Sequence, residues 1–326
     1  MRRRVTSPVV FTLTPETRVL VAGARGLVGS AIVDELRVRG ITQIDTPSSS
    51  ELDLRNRDAV FSYLQQNTPD VVIDAAAKVG GIHANDTYPA EFLSDNLLIQ
   101  VNLMDAAAQA DVDKFVFLGS SCIYPKFAPQ PIPESSLLSG ELEPTNSAYA
   151  VAKIAGIQQI QAHRKQYGRK WISAMPTNIY GPRDNFHPVD SHVVPALLRR
   201  FHEAKKSGAA QVEIWGSGTP LREFLSARDL AKAVVFLLEH YDSPEIINVG
   251  SGQEVSIREL AETVADVVGY EGELVFDSTK PDGTPRKLLD NSRIEALGWR
   301  ASVPLKEGLA EAYAWFVENE DSFRGR

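Results

Sequence analysis

Cysteine is nearly absent: Cys122 is the one thiol in 326 residues. That count excludes an intramolecular disulfide framework and any cysteine-rich zinc site, and it fits a reducing cytosol. Long apolar runs are missing too, and none approaches the roughly 20 residues that a membrane-spanning helix needs. Positive charge is in deficit, with 34 Lys and Arg against 42 Asp and Glu, a formal balance of −8. The sequence pI is about 5.4. A chain of this balance has no general positive field to draw it onto nucleic acid or an anionic membrane, so neither is expected as a partner. A secretory signal is also missing. After Arg2, Arg3 and Arg4 the apolar stretch Val9-Val10-Phe11 is short and follows Pro8, and no small-residue cleavage site is clear. Residues 1–16 therefore read as a disordered leader. What is present is length, and 43% hydrophobic residues, enough for one large soluble domain or two coupled ones.

From Arg18 short β-branched runs alternate with helical stretches, the pattern of βαβ units on a parallel sheet. The strand candidates are Arg18–Ala22, Gln43–Asp45, Asp70–Asp74, Lys114–Leu118 and Trp171–Pro176. Each is largely apolar, as strands covered by helices on both faces must be. Helical stretches fall at Gly29–Arg37, Arg57–Gln66, Ala90–Gln109 and Ala148–Gln166. These units predict a doubly wound α/β sheet of the Rossmann type, a dinucleotide-binding domain over residues 17–178. Beyond Asn178 the order is less regular. Strands are expected at Val212–Trp215, Ile246–Val249 and Glu273–Phe276, and helices near His192–Lys206, Ala227–Glu239, Ile257–Val268 and Leu305–Asn319. Residues 179–326 read as a smaller, mainly substrate-binding α/β lobe from which the chain can return to the sheet. Two Pro- and Gly-rich stretches, Tyr124–Ser147 and Gly181–Ser191, exceed ordinary connections. Loops of that length usually carry function.

The first strand runs into Gly23-Ala24-Arg25-Gly26-Leu27-Val28-Gly29. Glycines suit a tight turn, a close approach to a pyrophosphate and close helix packing, and the helix N-terminus then offers N–H groups to the anion. The spacing Gly-x-x-Gly-x-x-Gly departs from the usual dinucleotide pattern, and alone it also describes an ordinary strand-to-helix turn. Ala75-Ala76-Ala77 ends the third strand candidate without a large side chain, which suits a flat cofactor or tight helix packing equally. The fourth strand candidate ends in Gly119-Ser120-Ser121-Cys122, and a later helix opens with Tyr149 and Lys153. A Tyr and a Lys four residues apart share one helix face, so the ammonium can lower the phenol's pKa. With a strand-end Ser holding the carbonyl oxygen, such a set donates a proton as hydride arrives from a nicotinamide. Tyr-x-x-x-Lys alone is a frequent accident. After a glycine-rich turn and a strand-end Ser it is far less so.

At these residues the chain resembles the extended short-chain dehydrogenase/reductases that act on nucleotide sugars, and among them the epimerase-reductases of GDP-4-keto-6-deoxy sugars. The runs carrying the resemblance are Ala75–Ile82, Gly119–Lys126, Glu143–Asn146 with Tyr149 and Lys153, Met175–Pro182, Asp184–Pro188, Trp215–Gly218, Arg222–Leu225 and Lys280–Asp290. The resemblance implies inversion at C3 and C5 of the sugar and reduction at C4 with NADPH. Inversion needs an acid and a base besides Tyr149, and the family's pair falls on Cys122 as base and His192 as proton donor. Without the surrounding runs, a buried inert Cys and a helix-capping His would be the ordinary reading. The resemblance also implies cofactor contacts from Gly23, Arg25, Gly26, Leu27, Val28, Gly29, Asp53, Leu54, Ala75, Ala76, Tyr149, Lys153, Pro176, Asn178, Ile179 and His192. GDP contacts fall on Arg200, Trp215, Arg222 and Lys287, with Asn178 near the sugar, no metal is called for, and the helices at Ala90–Gln109 and Ala148–Gln166 would form a homodimer.

Two other readings stay open. A reductase of GDP-4-keto-hexoses or heptoses could retain Cys122 and His192 without epimerising, whereas a dinucleotide-sensing regulator would not need Ser120, Tyr149 and Lys153 together. The cofactor is expected to be NADP(H), with NAD(H) possible. Relatives carry basic residues after the second strand, and here that stretch reads Thr46-Pro47-Ser48-Ser49. Arg25 is the cation expected at a 2′-phosphate, with Ser48 and Ser49 as further donors. Asp45 is the alternative, an acceptor for the 2′-hydroxyl of NAD.

Overall fold

Side chains of a strand alternate between faces, and the first strand shows what this does here. In β1 (Val19–Ala22), Val19 and Val21 enter one buried apolar cluster, and Leu20 and Ala22 enter another on the opposite face. The computed structural model describes residues 9–280 and 282–320. After β1 come α1 (Leu27–Val38), β2 (Ile44–Asp45), α2 (Arg57–Asn67), β3 (Val71–Asp74), α3 (Ile82–Thr87), α4 (Pro89–Gln109), β4 (Lys114–Leu118), α5 (Ser147–Tyr167) and β5 (Ile172–Pro176). The second half adds β6 (Asn178–Tyr180), α6 (Val193–Ser207), β7 (Gln211–Trp215), β8 (Leu221–Ser226), α7 (Ala227–His240) and β9 (Ile247–Val249). It ends with β10 (Glu254–Ser256), α8 (Ile257–Val268), β11 (Glu273–Asp277), β12 (Arg286–Lys287), α9 (Ser292–Leu297) and α10 (Leu305–Glu318).

Six strands form a parallel sheet in the order β2-β1-β3-β4-β5-β9. Ile32, Val33 and Leu36 of α1 and Leu230, Val234 and Leu237 of α7 cover one face. Val60 and Leu64 of α2, Leu103 and Met104 of α4, and Ile157 and Ile160 of α5 cover the other. Full burial of each such side chain is worth about 1.5–3 kcal/mol. The chain runs from β1 out to β2 and returns to β3 on β1's other side. The crevice at the carboxyl ends of β1 and β3 is thus a switch point, where open α/β sheets bind ligands.

The lobe has its own core, built from Leu197, Leu198 and Phe201 of α6, Leu260 and Val264 of α8, and Leu309 and Phe316 of α10. The return to the sheet is made by β9, whose Ile247 pairs with Ala174 of β5. Glu223 of β8 joins the two parts. Fully buried, its carboxylate accepts N–H groups of Gly252 at 2.8 Å and Leu289 at 3.1 Å, while its carbonyl accepts the Asn178 amide at 2.9 Å. The strands β6, β8, β10 and β12 and the helices α3 and α9 are absent from the sequence-based reading. In β8 the pair Arg222-Glu223 interrupts the apolar run because both side chains serve polar tasks inside the protein.

The expected disordered leader lies outside the described residues for 1–8. For 9–16 it is corrected. Val10 and Phe11 donate backbone N–H groups to the Glu239 carbonyl at 2.7 and 3.4 Å. Phe11 and Leu13 pack against the cluster under α1 and α7, so apolar burial holds this segment in place. Among the described residues no helix is long and apolar enough to cross a membrane.

Candidate active site

A cavity of about 1270 Å³ opens at the carboxyl edge of the sheet. One arm is a cradle of backbone. Gly23 sits at φ +77°, and a Cβ there would lie 2.7 Å from the Ala75 carbonyl oxygen. A Cβ on Gly29 would overlap the Gly23 backbone, so this residue closes the cradle from beneath and does not line the cavity. No side chain caps α1 at Gly26, leaving N–H groups at its N-terminus available to an anion. Arg25, Gly26, Leu27, Val28, Ser48, Ser49, Asp53, Leu54, Ala75 and Ala76 line this arm. Small residues, free N–H groups and the guanidinium groups of Arg25 and Arg55 make it fit for a nicotinamide dinucleotide.

Arg25 and Asp45 are the residues expected to tell the two cofactors apart. Arg25 is exposed, 3.9 Å from Glu51, and Ser48 holds that Glu51 carboxylate below the usual range through its hydroxyl and N–H. Asp45 does not line the cavity. Both its oxygens accept the Tyr63 hydroxyl at 2.7 Å. The reading of Asp45 as a ribose acceptor is therefore corrected, because its carboxylate is already engaged by α2. Asp53 does line the cavity, paired with Arg55 at 3.0 Å, which holds it below the carboxylate range.

The other arm collects the reactive groups. Ser120, Cys122, Tyr149, Lys153, Pro176, Asn178, Ile179 and His192 all line it. Ser120 ends β4, and its hydroxyl accepts the Cys122 N–H at 3.2 Å, starting the short turn Ser121–Ile123. Tyr149 is half-buried in the first turn of α5. Burial, and then Cys122, push its phenol above the usual tyrosine range, while a Ser120 hydrogen bond opposes this. Lys153 is buried at 3% exposure and donates to the Leu118 carbonyl at 2.8 Å. Desolvation dominates at Tyr149, and the ammonium is held by the strand end, 5.9 Å from the Tyr149 ring centroid.

Cys122 has two donors at its sulfur. Lys287 Nζ lies 3.6 Å and Asn146 Nδ2 3.5 Å from Sγ. His192 is the N-cap of α6. The loop before it is fixed by the Asp190 carbonyl, which accepts the Gly81 N–H at 2.9 Å. Surrounding protein first, and Lys287 second, favour the neutral form of His192. Lys287 therefore bears on both the thiol and the imidazole.

Of the expected GDP contacts, Arg222 and Lys287 line the cavity and sit opposite each other on β8 and β12. Arg200 and Trp215 do not line it. Arg200 donates to the Glu213 carbonyl at 2.7 Å, which ties its guanidinium to β7. Trp215 is 59% exposed, with Lys280 Nζ 5.7 Å from its ring centroid. Lining residues to which the sequence-based reading gave no role include Asp74, Asn146 and Asp282. Asn146 and Asp282 lie within the runs that carry the resemblance, yet only the fold puts one at the thiol and the other beneath Ser217, whose N–H it accepts at 2.7 Å. Asp74 had a local signal, a carboxylate ending an otherwise apolar strand.

The model of the NAD dependent epimerase/dehydratase family matches residues 19–250. A probable GDP-L-fucose synthase 1 of Oryza sativa subsp. japonica is 62% identical over 303 residues, 93% of this chain and 92% of that protein. GDP-L-fucose synthase 1 of Arabidopsis thaliana is 57% identical over 319 residues, 98% of this chain and 99% of that protein. Among solved structures, a GDP-L-fucose synthetase from Naegleria fowleri bound to NADP matches with a TM-score of 0.89 at 29% identity, covering 98% of each chain.

Proposed function

This chain belongs to the NAD dependent epimerase/dehydratase family, and on that premise we propose that it inverts GDP-4-keto-6-deoxy-D-mannose at C3 and C5 and reduces C4 to give GDP-L-fucose. The observation that carries the reading is convergence. A thiol with two donors, an imidazole, a tyrosine and a buried lysine share one cavity with a glycine cradle. Arg25, Ser48, Ser49 and the cradle would hold NADPH, which would supply the hydride for reduction at C4.

The chain's own groups move the protons. Cys122, as thiolate, takes a proton from the carbon beside the carbonyl, with the Lys287 and Asn146 donors stabilising its charge. His192, in the minor fraction that carries a second proton, returns it on the opposite face, which inverts that centre, and is recharged from solvent as the Cys122 thiol gives up the proton it took. Tyr149 gives its proton to the C4 oxygen during reduction, and the Lys153 ammonium, 5.9 Å from its ring centroid, offsets the negative charge left on the phenolate. Ser120 hydrogen-bonds the same oxygen. Arg222 and Lys287 offer positive charge to the diphosphate, and Arg200 and Trp215 stand outside the cavity. The same reading makes α4 and α5 the faces of a homodimer, supported by exposed Leu98 and Val151 on them and testable by sedimentation mass.

The test is NMR of the product formed from GDP-4-keto-6-deoxy-D-mannose and NADPH. GDP-L-fucose is expected. A product reduced at C4 with C3 and C5 unchanged would exclude epimerisation and leave a simple 4-reductase.

A further inference from the structure

Among the ionisable groups lining the cavity that none of these steps uses is Asp74. Asp74 ends β3 at 1% exposure. One of its carboxylate oxygens accepts the Ala76 N–H at 3.2 Å, and the other has no hydrogen-bond partner. A buried carboxylate with an unmet oxygen is costly unless a cation offsets it. The rest of the strand is Val71-Val72-Ile73, so an apolar residue would complete it without that cost.

The cation facing Asp74 is Lys153. Strands β3 and β4 pair with Asp74 opposite Phe117. Lys153 Nζ lies 4.8 Å from the centroid of that same Phe117 ring and donates to the carbonyl of the next residue, Leu118. The carboxylate and the ammonium therefore stand at adjacent strand ends in the arm that holds Tyr149, close enough to act on each other through space but without a direct ion pair. We propose that Asp74 is a positioning residue that acts through Lys153, its buried carboxylate keeping the ammonium charged and fixed beneath Tyr149. This rests on the reduction step proposed above.

The titratable groups around Lys153 are Asp74 from β3, Tyr149 from its own helix, and Cys122 beyond β4, which bears on Tyr149. Burial favours a neutral Lys153, and Asp74 opposes it. Burial also pushes Asp74 up to about 6, with Lys153 pulling it down. Near neutral pH the carboxylate is thus ionised and available to hold the lysine. Removing it lowers the pH at which Lys153 loses its proton.

The experiment compares the wild-type full chain with Asp74→Asn and Asp74→Leu. In both variants the alkaline limb of kcat for NADPH-dependent reduction should move down by about one pH unit or more, the size of effect an opposing charge exerts at close range. The deficit should vanish at lower pH, which a merely structural role would not do. A second readout needs no turnover. Acetylation of Lys153 by a small acylating reagent, followed by peptide mass spectrometry without cofactor, should rise about tenfold at fixed alkaline pH, because the neutral amine is the nucleophile. Profiles that superpose on wild type, or a loss equal at every pH in both variants, would overturn the proposal. A wild-type chain inert toward the keto sugar would be the failure of the functional reading, and Lys153 labelling would still judge Asp74.

Discussion

Lys287→Met should slow proton removal far more than it weakens substrate binding. The ammonium stands 3.6 Å from the Cys122 sulfur, and Asn146 supplies the second donor at 3.5 Å. A hydrogen bond to a charged acceptor is worth about 1.5–3 kcal/mol, and about 1.4 kcal/mol is a factor of ten in rate. Loss of the ammonium alone therefore predicts roughly 10–150-fold slower exchange. Lys287 is only partly buried, so solvent screening puts the effect toward the lower end, about 10–30-fold. The assay is entry of solvent deuterium at C3 and C5 of GDP-4-keto-6-deoxy-D-mannose, run without NADPH and at saturating sugar. Lys287→Arg keeps a cationic donor and should recover part of the rate. The reasoning fails if exchange at saturation is unchanged while the half-saturating concentration rises several-fold. Lys287 would then be the diphosphate contact that the resemblance implied, with no part in holding a thiolate.

Tyr149→Phe removes the proton donor and little volume. Reduction should fall by roughly 10²–10⁴-fold while NADPH still quenches protein fluorescence on binding, and a fall of less than about threefold would exclude the role. Arg25→Ala should erase most of the preference for NADPH over NADH, measured as the ratio of kcat/KM values. A wild-type chain that already uses NADH better would refute Arg25 as the phosphate contact. Glu223→Ala leaves the buried Gly252 and Leu289 N–H groups without an acceptor. At about 1–3 kcal/mol each, less the relief of unburying a carboxyl, the cost is roughly 2–5 kcal/mol in a urea melt. Glu223→Gln keeps one of the two acceptors and should fall between wild type and Ala, and an Ala variant within about 1 kcal/mol of wild type would remove Glu223 as the joint between lobe and sheet.

Local pattern decided the nucleotide half of this protein. Strands buried on both faces must be apolar throughout, so Val71–Asp74 and Lys114–Leu118 stand out in the chain without any partner. A turn that admits no Cβ must be glycine, so Gly23 and Gly29 mark the cradle. Residues four apart must share a helix face, so Tyr149 and Lys153 announce each other. The lobe was less legible because its short strands β6, β8, β10 and β12 mix polar and apolar residues, and their pairing depends on segments up to 65 positions away, as Lys287 opposite Arg222. The same holds for the chemistry at Cys122. Its donors come from residues 146 and 287, its proton-donating counterpart opens α6, and the carboxylate near Lys153 comes from β3. Nothing in the linear order couples those positions. Periodicity records only which face a residue lies on within its own element, whereas the field at a thiol, a lysine or an imidazole is set by charges within a few ångströms in space, and only folding brings those together.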